Sequence, residues 1–462
     1  MALAQMQNPR RYDNRMPLLK MLFWVYFLLL IFEGALRKWI LPEFSAPLLL
    51  VRDPIALLII LEAAQSNKWP EKWSAVTGVL AFGLLGLCGV QMVAGDNPWI
   101  AAVYGLRSYL LPFPVAFIMG ENLDAEDLRK FGVCTLWLLL PETALFVAQY
   151  LVPTGSFLNA GAYEGARQVN YVGVHARASG TFSYVAGAQS FAPLAAVFLL
   201  YGLVNEKIAK KWLLWAASFA LVISVPAMGS RTFVFELAAI VACAGVAALC
   251  GVTQFFKSLK IIVPFLAVFA LASLLPFFTE SSKDLNQRFE EGTQAEGGAQ
   301  HSVRQVVARR TTAPLVERFE EIDLLSNPIG IGMGQGAAAI TKLLQGKAEF
   351  LAGEAETDRA ILELGPFPGM AFMLFRFFLA LAILKSAVSL AREGEPLALL
   401  LAPLMVGGLA FGILEQPTGQ GFMVIFVAFS LAALKRAGVV ARPAPVLSHL
   451  PRRPVRFSDH GL

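Results

Sequence analysis

The sequence predicts an all-α protein: a polytopic transmembrane bundle of about twelve helices with one large extramembrane loop that itself contains short helices. Three observations carry this. Of the 462 residues, 56% are hydrophobic and only 15% charged, and mean hydropathy is +0.60; a soluble chain carries roughly 25% charged residues. The apolar residues fall in runs of about 20, the length a helix needs to cross a hydrocarbon core of ~30 Å. Lys and Arg collect at alternate junctions between the runs, the asymmetry that orients membrane proteins. The 35 Phe and 8 Trp suit lipid-facing and interfacial positions.

In chain order, a segment 1–17 carries Arg10, Arg11 and Arg15 and precedes the first run. No small-residue cleavage site follows that run, which leads straight to Arg37, Lys38 and Trp39, so it reads as a first transmembrane helix. Candidate spans lie near 18–36, 44–62, 73–94, 100–120, 131–152, 184–204, 212–228, 232–252 and 259–279. The loop 280–363 follows, then spans near 364–388, 396–414 and 419–436, and a basic, Pro-rich tail 437–462. If the N-terminus is cytoplasmic, the inner junctions hold Arg10, Arg11, Arg15, Lys20, Lys68, Lys72, Arg129, Lys130, Lys207, Lys210, Lys211, Lys257, Lys260, Lys385, Arg392 and the tail cations. The outer ones hold only Arg37, Lys38, Arg167, Arg177 and Arg231. Both termini therefore face the cytoplasm in this reading. The net charge of +5 serves orientation and implies no nucleic-acid partner. Cys88, Cys134, Cys243 and Cys250 sit in apolar stretches without metal-ligand spacing.

Ionisable residues inside apolar runs are costly and mark function or tight internal pairing. Arg52 and Asp53 are adjacent, just before Pro54. They read either as a self-neutralising pair at a kink or as cavity-lining groups, and because neighbours point apart on a helix each should find a further partner. Arg107 precedes Pro112 and Pro114, which interrupt the fourth span below it; it either lines a cavity or snorkels to the interface. Arg177 and Arg231 are also expected near the outer leaflet. Arginine keeps its charge and forks onto phosphate oxygens, so Arg107, Arg177, Arg231 and Arg359 are candidates for a lipid-linked pyrophosphate.

In the large loop, helical periodicity is expected near 301–325 and again over 336–350. Asn327-Pro-Ile-Gly-Ile-Gly-Met-Gly-Gln-Gly lacks the Gly-Lys-Ser/Thr ending of a nucleotide loop. Its glycines suit tight turns and close backbone approach, and its amides could touch an anion. Glu354, Glu356, Asp358 and Glu363 cluster before the tenth span. They read either as N-terminal capping carboxylates or as the source of a general base for a sugar hydroxyl, with Glu354, Glu356 and Asp358 the catalytic candidates. Glu415, His175 and His301 are weaker candidates.

Three stretches resemble the O-antigen polymerase and O-antigen ligase superfamily of bacterial envelope enzymes. They are Arg177-Ala-Ser-Gly-Thr-Phe-Ser-Tyr, Gly229-Ser-Arg-Thr, and Asn327-Pro-Ile-Gly-Ile-Gly-Met-Gly with Glu363-Leu-Gly-Pro-Phe-Pro-Gly. The resemblance covers roughly residues 70–435. It implies a multi-pass protein of the bacterial inner membrane whose large loop is periplasmic. It also implies a glycosyltransferase that moves an undecaprenyl-pyrophosphate-linked glycan onto an acceptor hydroxyl, without cofactor or metal. Partners would be the lipid-linked glycan, membrane lipids and a chain-length regulator or other polysaccharide assembly proteins. Where ligases of this superfamily place a His-Asn pair, this chain has Glu356-Thr-Asp-Arg, and Tyr184 stands where some members have His-Pro-Asn, which favours polymerase over ligase. The rival readings are a transporter or flippase for a lipid-linked or anionic solute, and a non-catalytic scaffold.

Overall fold

The structure is a computed structural model that describes residues 15–161, 171–172, 175–205, 208–249, 268–295, 328–337, 340–341 and 355–440. Among the described residues the architecture is all-α apart from one two-stranded ladder. Among the described residues ten helical segments are long and apolar enough to cross a membrane. The first is α1 (Arg15–Ala35), which continues through a π turn to Ile40. Turns over Pro42–Leu48 then lead into α2 (Arg52–Gln65). Next come α3 (Glu71–Ala94), the broken pair α4 (Trp99–Tyr109) and α5 (Pro112–Asn122), and α6 (Ala125–Leu151). Strands β1 (Tyr171–Val172) and β2 (His175–Ala176) pair antiparallel, followed by α7 (Val185–Val204), α8 (Lys211–Met228) and α9 (Arg231–Leu249). Then come α10 (Pro276–Ala295), α11 (Glu356–Leu364), α12 (Pro366–Arg392), a shorter apolar helix α13 (Leu397–Phe411) and α14 (Pro417–Val440).

Against the expectation of about twelve spans, the described residues show ten, with α13 as a shorter apolar helix. Residues 259–267 of the run near 259–279 fall outside the described residues, as do the helix expected near 301–325 and most of that over 336–350. Two further differences are physical. The polar stretch from Glu280 is carried on helix α10 as far as Ala295. The carboxylates before the tenth span do not cap it. They sit on their own helix α11, separated from α12 by Gly365 at φ +90°, a conformation that favours glycine.

Helix α14 is the axis of the bundle. It packs on α1, α5, α6, α7, α12 and α13. Phe422, Met423, Val424, Ile425 and Phe429 are all buried, as a helix apolar on every side must be when it occupies a core. By contrast α3 turns Val79 and Phe82 outward, and no water is needed to explain such apolar exposure in a chain surrounded by lipid.

The helix ends form two faces. One joins Lys20 to Asp124 and Asp127 (2.8 and 2.6 Å), Asn122 to the Lys68 carbonyl (2.9 Å), and Lys435 to the Glu121 and Leu123 carbonyls. There α6 starts with a reciprocal capping box between Asp124 and Asp127. The opposite face carries residues 152–161, 171–172 and 175–184, the glycine segment 328–337 and α11.

Candidate functional site

The segment 176–184 is clasped from below. Gln149 Oε1 accepts from the Ser179 and Gly180 amides (2.9 and 2.8 Å), and its Nε2 donates to the Gly180 carbonyl (3.2 Å). Buried Lys38 donates to the same carbonyl (2.6 Å) and to Ser179 Oγ (3.2 Å), and Arg37 donates to Ser183 Oγ (2.9 Å). Thr181 donates its amide to Glu142 (3.1 Å) and its hydroxyl to the Ile31 carbonyl (2.8 Å) and to Glu142. The Gly-Thr-Phe-Ser motif is therefore a rigid mount on α1 and α6 for the residues just before it.

Those residues are His175 and Arg177, two apart on extended chain and so on one side of it. Alongside lies α10, whose Glu280, Asp284 and Arg288 recur every four residues on one face. Asp284 Oδ2 lies 2.9 Å from His175 Nδ1 and accepts the Tyr150 hydroxyl at 2.7 Å. The His175 ring stacks on Tyr150 with centroids 4.2 Å apart, and its Nε2 is 3.9 Å from Glu280. An ionised carboxylate on Nδ1 fixes that nitrogen as the donor and leaves Nε2 as the proton-exchanging atom. One step further along both elements, Arg177 meets Arg288 and Arg231. Burial, then the charges of Arg288 and Arg231, push its guanidinium down to about 10. Arg231 opens α9, after Ser230, which accepts from Phe233 N (3.3 Å) and from Gln189 (2.5 Å). Three cations thus gather beside a histidine–carboxylate pair, an arrangement that attracts an anion and can move a proton next to it.

The helices bearing these groups also wall an apolar cleft of about 470 Å³ between α7, α8, α9 and α10. Leu199, Val225, Leu237, Phe278 and Leu285 line it. Leu285 precedes Arg288 by one turn of α10.

A second constellation is fully buried. Both oxygens of Glu356 are taken: Arg359 Nε and Nη2 donate at 3.1 and 2.8 Å, Arg376 Nη1 lies at 3.1 Å and the Leu414 amide donates at 3.1 Å. Glu363, wholly buried, accepts from Tyr109 (2.9 Å) and from the Gly334 and Gly336 amides (3.0 Å each), with Arg359 at 3.5 Å. The glycine segment does bind an anion through its amides, and that anion is Glu363. Gln91 completes the cradle, donating to the Ile329 and Glu363 carbonyls (2.6 and 2.7 Å) and accepting from Met333 N (2.9 Å). Two carboxylates and two guanidiniums cancel here. This corrects the catalytic assignment of Glu356 and the pyrophosphate assignment of Arg359: each is buried and spent on the other, with no lone pair or fork facing a substrate. Asp358 is half-buried on the same helix, Glu415 is buried in the α13–α14 turn, and Glu354 and His301 lie outside the described residues.

Arg107 stands apart from the Arg177 cluster. Its Nε binds Asp53 (2.5 Å) and its Nη2 reaches Gln420 (3.4 Å), while Arg52 pairs with Glu33 (3.0 Å) and the Pro417 carbonyl. The adjacent Arg52 and Asp53 do find separate partners, as helical geometry requires. Sequence reasoning missed Asp284, Arg288 and Tyr150 as site residues and undervalued His175. It also passed over Arg376, although a lone arginine inside an apolar run is itself a signal.

Comparison with known proteins gives no match: no family model, no curated protein and no solved structure is similar to the chain.

Proposed function

We propose that this chain is a glycosyltransferase that polymerises undecaprenyl-pyrophosphate-linked oligosaccharide units at the periplasmic face of the bacterial inner membrane. The observation that carries the reading is the juxtaposition of Arg177, Arg231 and Arg288 with the His175–Asp284 pair on helices that wall an apolar cleft. The opposite face carries Lys20, Lys68, Arg129 and Lys435, so the positive-inside rule puts that face in the cytoplasm and the arginine cluster outside.

In this reading the polyprenyl chain lies in the cleft and the three guanidiniums hold the diphosphate. His175 Nε2 accepts the proton of the acceptor hydroxyl as its oxygen bonds to the anomeric carbon. The bond from that carbon to the phosphate oxygen breaks, and the diphosphate leaves with the bond's electron pair, stabilised by the arginines. Asp284 and Tyr150 are positioning residues that hold the imidazole. The carboxylate base expected from α11 is replaced by histidine because Glu356 has no free lone pair.

The test uses purified protein in lipid with a defined lipid-pyrophosphate glycan. The expected result is a ladder of lengthened chains. Arg177→Gln and Arg231→Gln abolish it while still inserting, and His175→Gln lowers turnover by about 10²–10⁴. Transfer to a separate lipid would mean ligation instead. Movement of the glycan lipid between leaflets with no new glycosidic bond would overturn the enzyme reading in favour of a transporter.

A further inference from the structure

On the face opposite the arginine cluster, a recess of about 440 Å³ opens between α6 and the segment 208–210 that leads into α8. Arg129, Val133 and Trp137 line one wall. Spaced four residues apart, they form one stripe of α6 that runs from its start towards the body of the bundle. Lys210, Trp212 and Leu213 line the other wall. Each wall thus carries a cation at its mouth and apolar side chains further in. Trp137 and Trp212 meet edge to face, with centroids 5.0 Å apart. They are 49% and 50% exposed, so the recess opens on the flank of the bundle as well as at its end. Indoles gather at the level of lipid headgroups, where one side of the ring is apolar and the other wet.

The charge at the mouth is one-sided. Glu126 accepts from Arg129 Nε and Nη2 at 2.8 and 2.7 Å, and Arg129 Nη1 donates to the Ile208 carbonyl at 3.2 Å. These bonds fix the guanidinium across both elements and spend the nearest carboxylate. Lys130 lies 4.0 Å from the same Glu126, and Asp124 and Asp127 are held by Lys20. Lys211 follows Lys210 at the first position of α8. Arg129, Lys130, Lys210 and Lys211 set against Glu126 leave three positive charges in excess.

We infer that this recess holds one anionic phospholipid, its phosphate between Lys210 and Arg129 and its glycerol end against the indole pair. Charge complementarity selects the occupant. A zwitterionic lipid brings an ammonium to Lys210 and Lys211 with no carboxylate left to receive it. A soluble anion leaves the apolar inner walls unused. The lipid joins the ends of two helices that reach the opposite face. There α6 carries Gln149 and Tyr150, and α8 walls the apolar cleft with Leu221 and Val225. It therefore braces the bundle beneath the arginine cluster, whatever chemistry that cluster performs.

Native mass spectrometry and thermal melting of the purified full chain in detergent, with phosphatidylglycerol or phosphatidylcholine added, test this. Wild type is expected to retain phosphatidylglycerol and to melt higher in its presence, with neither effect from phosphatidylcholine and no rise in melting temperature from inorganic phosphate. Lys210→Gln/Lys211→Gln weakens retention about fivefold for each cation removed. Trp212→Leu weakens it with the charge unchanged. Lys72→Gln/Arg392→Gln removes as much charge from the same face, away from the recess, and leaves retention as in wild type. Equal retention of the two lipids, the same stabilisation by inorganic phosphate, or equal weakening in the two double variants overturns the inference; in the last case binding follows net charge and not a site.

Discussion

Arg177→Gln separates function from stability. Arg177 is half-buried among like charges, and burial together with Arg288 and Arg231 brings its guanidinium from the ordinary arginine range down to about 10. A shift of that size is at most about 3 kcal/mol against the folded state at neutral pH. Partial exposure screens it to about 1–2 kcal/mol. Removing the charge should therefore raise the melting temperature of the ligand-free protein, by about 1–2 °C in a chain of this size. The same change should remove the response to an anion, since a ligand that neutralises the cluster stabilises only the charged protein. Scanning fluorimetry in detergent, with and without inorganic pyrophosphate, reads both effects. The sign of the pH dependence follows. The unfolded chain holds this proton to a higher pH than the folded one, which holds it only to about 10, so the penalty is complete below 10 and is lifted as pH rises from there. The advantage of the variant should thus be level through pH 7–9 and shrink above 10. A variant that melts below wild type yet keeps its full pyrophosphate response refutes the reasoning.

Three further outcomes concern the scaffold. Glu363→Ala strands the Tyr109 hydroxyl, two glycine amides and Arg359 together, and should cost about 3–5 kcal/mol in an SDS-unfolding titration, with Glu363→Gln intermediate. Gly334→Ala places a methyl 2.2 Å from the Ala101 carbonyl at φ +80°, and should cost at least about 1–3 kcal/mol in the same titration. Lys38→Met keeps the buried volume but removes both donors to Ser179 and Gly180. Trypsin should then cut after Arg177 faster than in wild type, as peptide mapping would reveal, while the bundle remains folded.

Much of the architecture is local and was legible. A run of twenty apolar residues has few alternatives to a spanning helix. Pro112 marks the break between α4 and α5, and the Arg52–Asp53 pair had to part because neighbours diverge around a helix. The site was less legible because its meaning lies in pairings across the chain. Asp284 and Arg288 look like an ordinary polar stripe until β2 runs beside them, which puts a histidine opposite one and an arginine opposite the other. The Glu354–Asp358 cluster misled for the complementary reason. Its acidity pointed outward to a substrate, but Arg376, hidden in the apolar run of α12, and Arg359 had already claimed Glu356. The glycine-dense segment was read for tight turns and close backbone approach, with an anion contact as a further option; the anion its amides meet is the chain's own Glu363.

Arg52 reaches both Glu33 on α1 and the Pro417 carbonyl at the head of α14. Helices whose contacting residues lie 365 apart in sequence are thereby fastened at one point inside the lipid-embedded body. During biogenesis α1 and α2 must reside in the bilayer with this guanidinium incompletely satisfied until α14 arrives. Quality control that senses stray intramembrane charge would accordingly detect the absence of α14 through a residue on α2.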